Sequence, residues 1–287
     1  MILLLNVFIT HDRPHNPCNR FDAFKVTLKS YSKINWSKIY LRIKLDDEFQ
    51  PRKTELVEWI EQWLPGADLK FERYEYQYEW KELIERVCSE DEFIWMTQND
   101  DHVFVEEDAA YLETGLELMK KDPAQFKTLY FSHWPEILRL SGKLGPPERV
   151  GDWVKFKCTL LDSIQIWNAN YLRFLFIDLD WCGQSFKRID GLLFQVPIWG
   201  FGNILHSIQT LYVPLKELCR KFNGYVYVDA TEAPPLTLDN YTCERTTENV
   251  RLLMRAPSQN SGWTANNPFR VPEEWINTSL RLYGLKT

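Results

Sequence analysis

From Ile2 to Phe131 the chain alternates short apolar runs with longer segments whose apolar residues recur at helical spacing. That alternation restricts the fold more than any other feature. Residues 2–9 are apolar almost throughout, as in a buried strand. A helix is expected from about Arg20 to Ser32, with Phe21, Phe24, Leu28 and Tyr31 on one face. Residues 38–45 alternate basic and apolar side chains as a second strand. Lys53 to Leu64 aligns Leu56, Ile60 and Leu64 and is stopped by Pro65-Gly66. Then follow a strand at 69–73, a helix at 80–87, a strand at 93–98, a helix at 108–121 and a strand at 128–131. This order makes βαβ units and predicts an α/β fold: a Rossmann-type, mainly parallel sheet flanked by helices.

In such sheets ligands bind outside the carboxyl ends of the strands, and the polar clusters fall there. Thr10-His11-Asp12-Arg13 follows the first strand, Asp46-Asp47 the second and Asn99-Asp100-Asp101 the fourth. Two adjacent carboxylates at the end of a buried strand repel one another and are penalised by desolvation. A hard divalent cation carrying a diphosphate removes that cost. Taken singly, Asn-Asp-Asp is also good turn chemistry, and an Asp there can cap the next helix. Three such clusters at one sheet edge favour a site.

With 287 residues, one large or two small domains are possible, and Ser141 to Pro147 is a loop that divides the chain into 1–140 and 141–287. In the second half the expected elements are strands at 153–159 and 163–167 and a helix at 168–177. Beyond them come a helical stretch at 203–222 interrupted near Pro214, a strand at 224–228 and a short helix after Pro272. A net charge of −6 without a basic block argues against nucleic acid as a main partner. The 12 Trp, 13 Tyr and 17 Phe anchor cores, and such rings also stack on sugars. The six cysteines are scattered without C-x-x-C or a Cys/His cluster, so neither a zinc site nor a disulfide scaffold is indicated. The first residues lack a basic leader, and no apolar run approaches the ~20 residues of a membrane helix. The expected compartment is cytoplasmic.

Phe8-Ile-Thr-His-Asp-Arg-Pro14, the helix that continues from Asn19-Arg20 to Ser30, and Gln98-Asn-Asp-Asp-His-Val-Phe104 together resemble the GT-A-type glycosyltransferases over roughly residues 2–135. The last segment is similar to their DxD motif, with Asn99 at the first acid's position. The resemblance implies a GT-A-like α/β fold in one continuous domain, with 1–140 as the nucleotide-sugar-binding half and 141–287 as a smaller, mixed acceptor-binding half. It implies Thr10 and Arg13 against the base or ribose, with Asp46 accepting from them. Asn99 would contact ribose or a metal-bound water. Asp101, backed by Asp100, would ligate Mn2+ or Mg2+, and His206 could complete that shell. His133 would face the donor sugar or the acceptor. Asp190 is the expected catalytic base, with Asp180 and then Asp178 in reserve. As ordinary structure, Asp190-Gly191 is a turn, and His133 and His206 are partly buried residues. The implied activity moves a sugar from a nucleotide-sugar donor to a glycan or other hydroxyl acceptor, with a divalent metal and a carboxylate base.

Two alternatives remain open. A sugar-1-phosphate nucleotidylyltransferase needs a Gly-rich, basic loop after the first strand, and residues 10–19 contain no glycine. The G-x-G-x-x-G, G-x-x-x-x-G-K-[ST] and G-x-S-x-G patterns are also absent. A non-catalytic carbohydrate-binding protein would account for the aromatic excess and would bind no nucleotide.

Overall fold

A computed structural model describes residues 1–9, 20–72, 77–97, 104, 107–131, 148–158, 164–174, 177, 186–189, 192–195, 209–214, 218–220, 242–244, 246–248, 251, 273–282 and 284–287. The chain begins with β1 (Ile2–Ile9), α1 (Arg20–Tyr31) and β2 (Lys38–Leu45). A 3-10 helix (Asp47–Arg52) leads into α2 (Lys53–Trp63), followed by β3 (Asp68–Lys70), α3 (Gln77–Glu90) and β4 (Phe93–Thr97). Next come α4 (Glu107–Lys121), β5 (Thr128–Phe131), β6 (Glu148–Val150), β7 (Trp153–Cys158), β8 (Ile164–Asn168) and α5 (Ala169–Arg173). The remaining elements are β9 (Phe186–Ile189), β10 (Leu192–Gln195), β11 (Gln209–Pro214), β12 (Leu218–Arg220), β13 (Thr242–Glu244) and α6 (Glu273–Leu282).

Nine strands form one sheet in the order β3-β2-β1-β4-β8-β5-β11-β7-β6. The ladders β3-β2, β2-β1, β1-β4 and β5-β11 are parallel, and β8 and β7 are antiparallel to both of their neighbours. Seven of the nine strands therefore point the same way, and the expected α/β architecture is present. The second half of the chain joins the same sheet: β8 lies between β4 and β5 of the first half.

β1 is buried along nearly its whole length because both faces of the sheet are covered. Leu3, Leu5, Val7 and Ile9 join Phe21, Phe24 and Leu28 of α1 and Leu56, Trp59 and Ile60 of α2 in the main core cluster. On the alternate positions, the Tyr40 hydroxyl donates to Glu90 of α3 at 2.9 Å. Trp95 of β4 is fully buried, with Tyr31, Trp36 and Phe104 rings 5.1–5.4 Å away. Much of the aromatic excess is thus core packing, and Phe174 is the exposed large hydrophobic residue among those described.

Two polar devices lock this half together. Arg42 is 1% exposed and donates to the carbonyls of Leu41 and Asp68 and to both carboxylate oxygens of Asp68, joining β2 to β3. The Phe104 amide donates to the buried Ser30 hydroxyl at 3.0 Å, and that hydroxyl donates to the Thr27 carbonyl at 2.8 Å. α4 packs on β5 and β7 where Gly115 permits a close approach: a β-carbon there would stand 2.5 Å from Leu129 Cδ1.

The structure corrects several expected elements. The helical stretch at 203–222 is wrong where it is described, because 209–214 is β11 and 218–220 is β12. Thr, Tyr and Val suit a strand, Pro214 ends it, and the slot between β5 and β7 provides hydrogen-bonding partners on both sides. The helix expected at 168–177 is described as helical over Ala169–Arg173, capped by the Asn168 side chain, which accepts from the Asn170 and Tyr171 amides. α3 runs longer than expected, β3 is shorter, and the 3-10 helix after β2 was not foreseen. The strand expected at 224–228 lies outside the described residues. The helix after Pro272 is α6, where Ile276 and Leu280 are buried and Glu273 and Asn277 pair with Arg251. Among the described residues, no helix is long and apolar enough to cross a membrane.

Candidate functional site

The chain proceeds from β1 outward to β2 and β3, then crosses back to place β4 on the other side of β1. Strand order therefore reverses between β1 and β4. Just outside the carboxyl ends of such a strand pair, an open α/β sheet has its ligand crevice.

Ile9, the last described residue of β1, pairs with Leu45, where β2 ends. On the other side of β1, the described part of β4 runs to Thr97, opposite Leu5. Farther along the sheet, Met96 pairs with Gln165 of β8, and Phe131 of β5 pairs with Ile164. In β1, Asn6 is buried, and half-buried Phe8 has the Lys44 ammonium 5.2 Å from its ring centre.

Asp46 stands at the carboxyl end of β2. Its amide donates to the Ile9 carbonyl at 3.0 Å, adding a rung beyond β2, and its carbonyl accepts from the Phe49 amide at 3.0 Å. The residue is half-buried and extended, and its carboxylate does not cap the 3-10 helix that it precedes. Of the expected site residues, Asp46 is the one the structure describes, and it lies at the expected sheet edge.

The acidic run Asn99-Asp100-Asp101 lies outside the described residues, but the chain on both sides of it is anchored. Thr97 is buried at the end of β4, and Phe104 is buried against Trp95 and Phe131 with its amide on Ser30. Residues 98–103 span the interval between these two points. Four residues past Phe104, Asp108 is fully buried in the first turn of α4. A carboxylate there is favoured by the helix dipole. Its burial is a tertiary property with no sequence signal beyond an acid near a helix start.

Thr10 and Arg13 lie outside the described residues and follow Ile9 in the chain; His133 also lies outside and follows the end of β5. Asp180 lies outside as well. Asp190 is outside, but the flanking Ile189 and Leu192 pair directly, so Asp190 and Gly191 are the two residues that connect β9 to β10. Asp-Gly is favoured chemistry for a two-residue hairpin connection. His206 also lies outside; it precedes β11, which enters the sheet from the edge opposite the carboxyl ends of β1 and β4, since Tyr212 pairs with Leu129 and β11 runs parallel to β5. Among the described residues, no group of three His, Cys, Asp or Glu stands together as a metal site. A groove of about 1180 Å³ between α4 and the β6-β7 hairpin, lined by Leu116, Phe126, Val150 and Trp153 with Glu113 and Lys120, contains none of the candidate residues.

No protein-family model matches the sequence, and no curated protein matches it. Among solved structures, the 4-diphosphocytidyl-2C-methyl-D-erythritol synthase of Anaerococcus prevotii DSM 20548 aligns with a TM-score of 0.39 at 11% identity, covering 66% of this chain and 80% of that one. A CMP:2-keto-3-deoxy-manno-octonic acid synthetase complexed with CTP aligns with a TM-score of 0.34 at 11% identity, covering 61% and 77%.

Proposed function

We propose that the chain is a GT-A-like glycosyltransferase that transfers a sugar from a nucleotide-sugar donor to a glycan or other hydroxyl acceptor in the crevice beside β1 and β4. The observation that supports this most is the strand-order reversal between β1 and β4, with the acidic run following β4 in the chain and Asp46 at the carboxyl end of β2. Nucleotide ligands are bound at such reversals.

In this reading Thr10, Arg13 and Asp46 hold the base and ribose, and Asn99 the ribose. The donors offered by Asp101, Asp100 and Asn99 are all oxygen, which fits a hard cation such as Mn2+ or Mg2+. That ion would neutralise the diphosphate of the leaving nucleotide. Asp190, or Asp180 in its place, accepts the proton of the acceptor hydroxyl as the new glycosidic bond forms. His133 contacts donor sugar or acceptor.

Thermal unfolding with nucleotide sugars, nucleoside diphosphates and nucleoside triphosphates, with and without Mn2+, tests this on wild type and Asp101→Ala. A ligand present at 100 times its Kd stabilises the folded state by about 2.7 kcal/mol. The expected result is a diphosphate or nucleotide-sugar shift that requires Mn2+ and is lost in Asp101→Ala. A response to triphosphates only, with pyrophosphate released, would transfer the assignment to nucleotidylyl transfer. No response to any nucleotide would leave a carbohydrate-binding protein.

A further inference from the structure

The sequence pattern scatters the six cysteines, but the fold brings two of them to one rung. In the two-stranded β12-β13 sheet, Cys219 pairs directly with Cys243, flanked by the pairs Leu218-Glu244 and Arg220-Thr242. Directly opposed residues of an antiparallel ladder have Cα atoms about 4.5 or 5.5 Å apart, depending on the rung type. A disulfide spans Cα separations of about 4.4–6.8 Å, so either rung type admits one. Opposed residues also carry their β-carbons on the same face of the ribbon.

We propose that Cys219 and Cys243 form a redox-active dithiol that closes to a cross-strand disulfide. The energetic setting favours a crosslink. Each strand has three residues, and among the described residues this ladder joins no other strand. A short two-stranded ribbon is marginal in water. Pairing these strands also carries the entropy cost of bringing together residues distant in the chain. A covalent bond across the middle rung removes most of that cost from the unfolded chain.

Glutathione disulfide is a sufficient oxidant. One cysteine thiolate attacks it, forming a mixed disulfide as one glutathione thiolate leaves. The second cysteine thiolate then displaces the other. Two cysteine sulfurs are oxidised, two glutathione sulfurs are reduced, and the two thiol protons end on the released glutathiones.

The test equilibrates the full chain with a glutathione couple, blocks free thiols with iodoacetamide in denaturant and digests with trypsin. Peptides 217–220 and 222–245 should be recovered joined in wild type and in Cys88→Ser, and unjoined in Cys219→Ser and Cys243→Ser. Because the ladder pre-positions the two thiols, the folded chain should give the joined product at roughly ten-fold or more lower glutathione disulfide than the urea-unfolded chain. Equal yields from folded and unfolded chains would overturn the proposal. So would carbamidomethyl label on both peptides, or either cysteine joined to a different partner. Mass detection makes the result independent of whether the serine variants fold well.

Discussion

Ser30 and Phe104 are 74 residues apart in the chain, and the hydroxyl of the first accepts the backbone N–H of the second at 3.0 Å. Both are buried. The bond fastens the chain that returns from the acidic run onto α1, the helix that follows β1. One end of the proposed crevice is therefore held by this hydroxyl together with the packing of Phe104 on Trp95 and Phe131.

Ser30→Ala should consequently destabilise the fold by about 1–3 kcal/mol, since it strands a buried amide donor. Urea unfolding would show a lower midpoint with an unchanged slope. Ser30→Thr, which keeps the hydroxyl, should recover part of the loss. A neutral Ser30→Ala would mean that the amide finds another acceptor.

Gly115 tests the packing of α4 on the sheet. Alanine is the better helix former by about 1 kcal/mol. Its β-carbon, however, would stand 2.5 Å from Leu129 Cδ1 and 2.9 Å from two indole atoms of Trp153. The leucine tip can turn aside, whereas the buried indole has little room. Overpacking of this kind costs about 1–3 kcal/mol, so Gly115→Ala should lower stability in a chemical melt. A stabilised variant would show that α4 can shift away from β7.

Burial pushes the Cys88 thiol up to about 12, against a smaller opposing effect from the nearby Arg173 charge. The reactive species is the thiolate, so Cys88 should resist iodoacetamide at pH 8 in the folded protein and react on unfolding. Peptide mapping of a timed alkylation reads this directly. Labelling of Cys88 as fast as in the unfolded chain would contradict it.

Glu90 links α3 to β2 by accepting from Lys38 at 2.8 Å and from the Tyr40 hydroxyl at 2.9 Å. Burial would raise its pKa, but the bonds from Lys38 and Tyr40 together hold it below the usual value. A depressed carboxylate contributes stability above its unfolded pKa of about 4.3 and loses it as pH falls through the lower folded value. The stability difference between wild type and Glu90→Gln should therefore be constant from pH 8 to 5 and shrink toward pH 3. Urea melts across that range check this, and a difference that does not change with pH would contradict it.

Residues 2–9 and 93–97 are legible as buried strands because continuous apolar runs have few other uses, and Phe21, Phe24, Leu28 and Tyr31 identify α1 by period. Residues 209–214 are not legible as a strand, because Leu211, Tyr212 and Val213 fit either a buried helix or a strand, and only pairing with β5 and β7 decides between them. Asp46 at the sheet edge followed from counting strands. The burial of Asp108 did not, because burial depends on what packs around a helix start.

Local periodicity thus determined that the chain alternates strands and helices and that its polar clusters follow strand ends. Only the tertiary structure decided that strand order reverses between β1 and β4, that β8 enters between β4 and β5, and that Cys219 pairs with Cys243 on one rung. The reason is physical. Side-chain periodicity is set within a few residues, whereas register and strand order are set by pairing between segments distant in the chain, where a slip of one residue would turn every buried side chain to the other face.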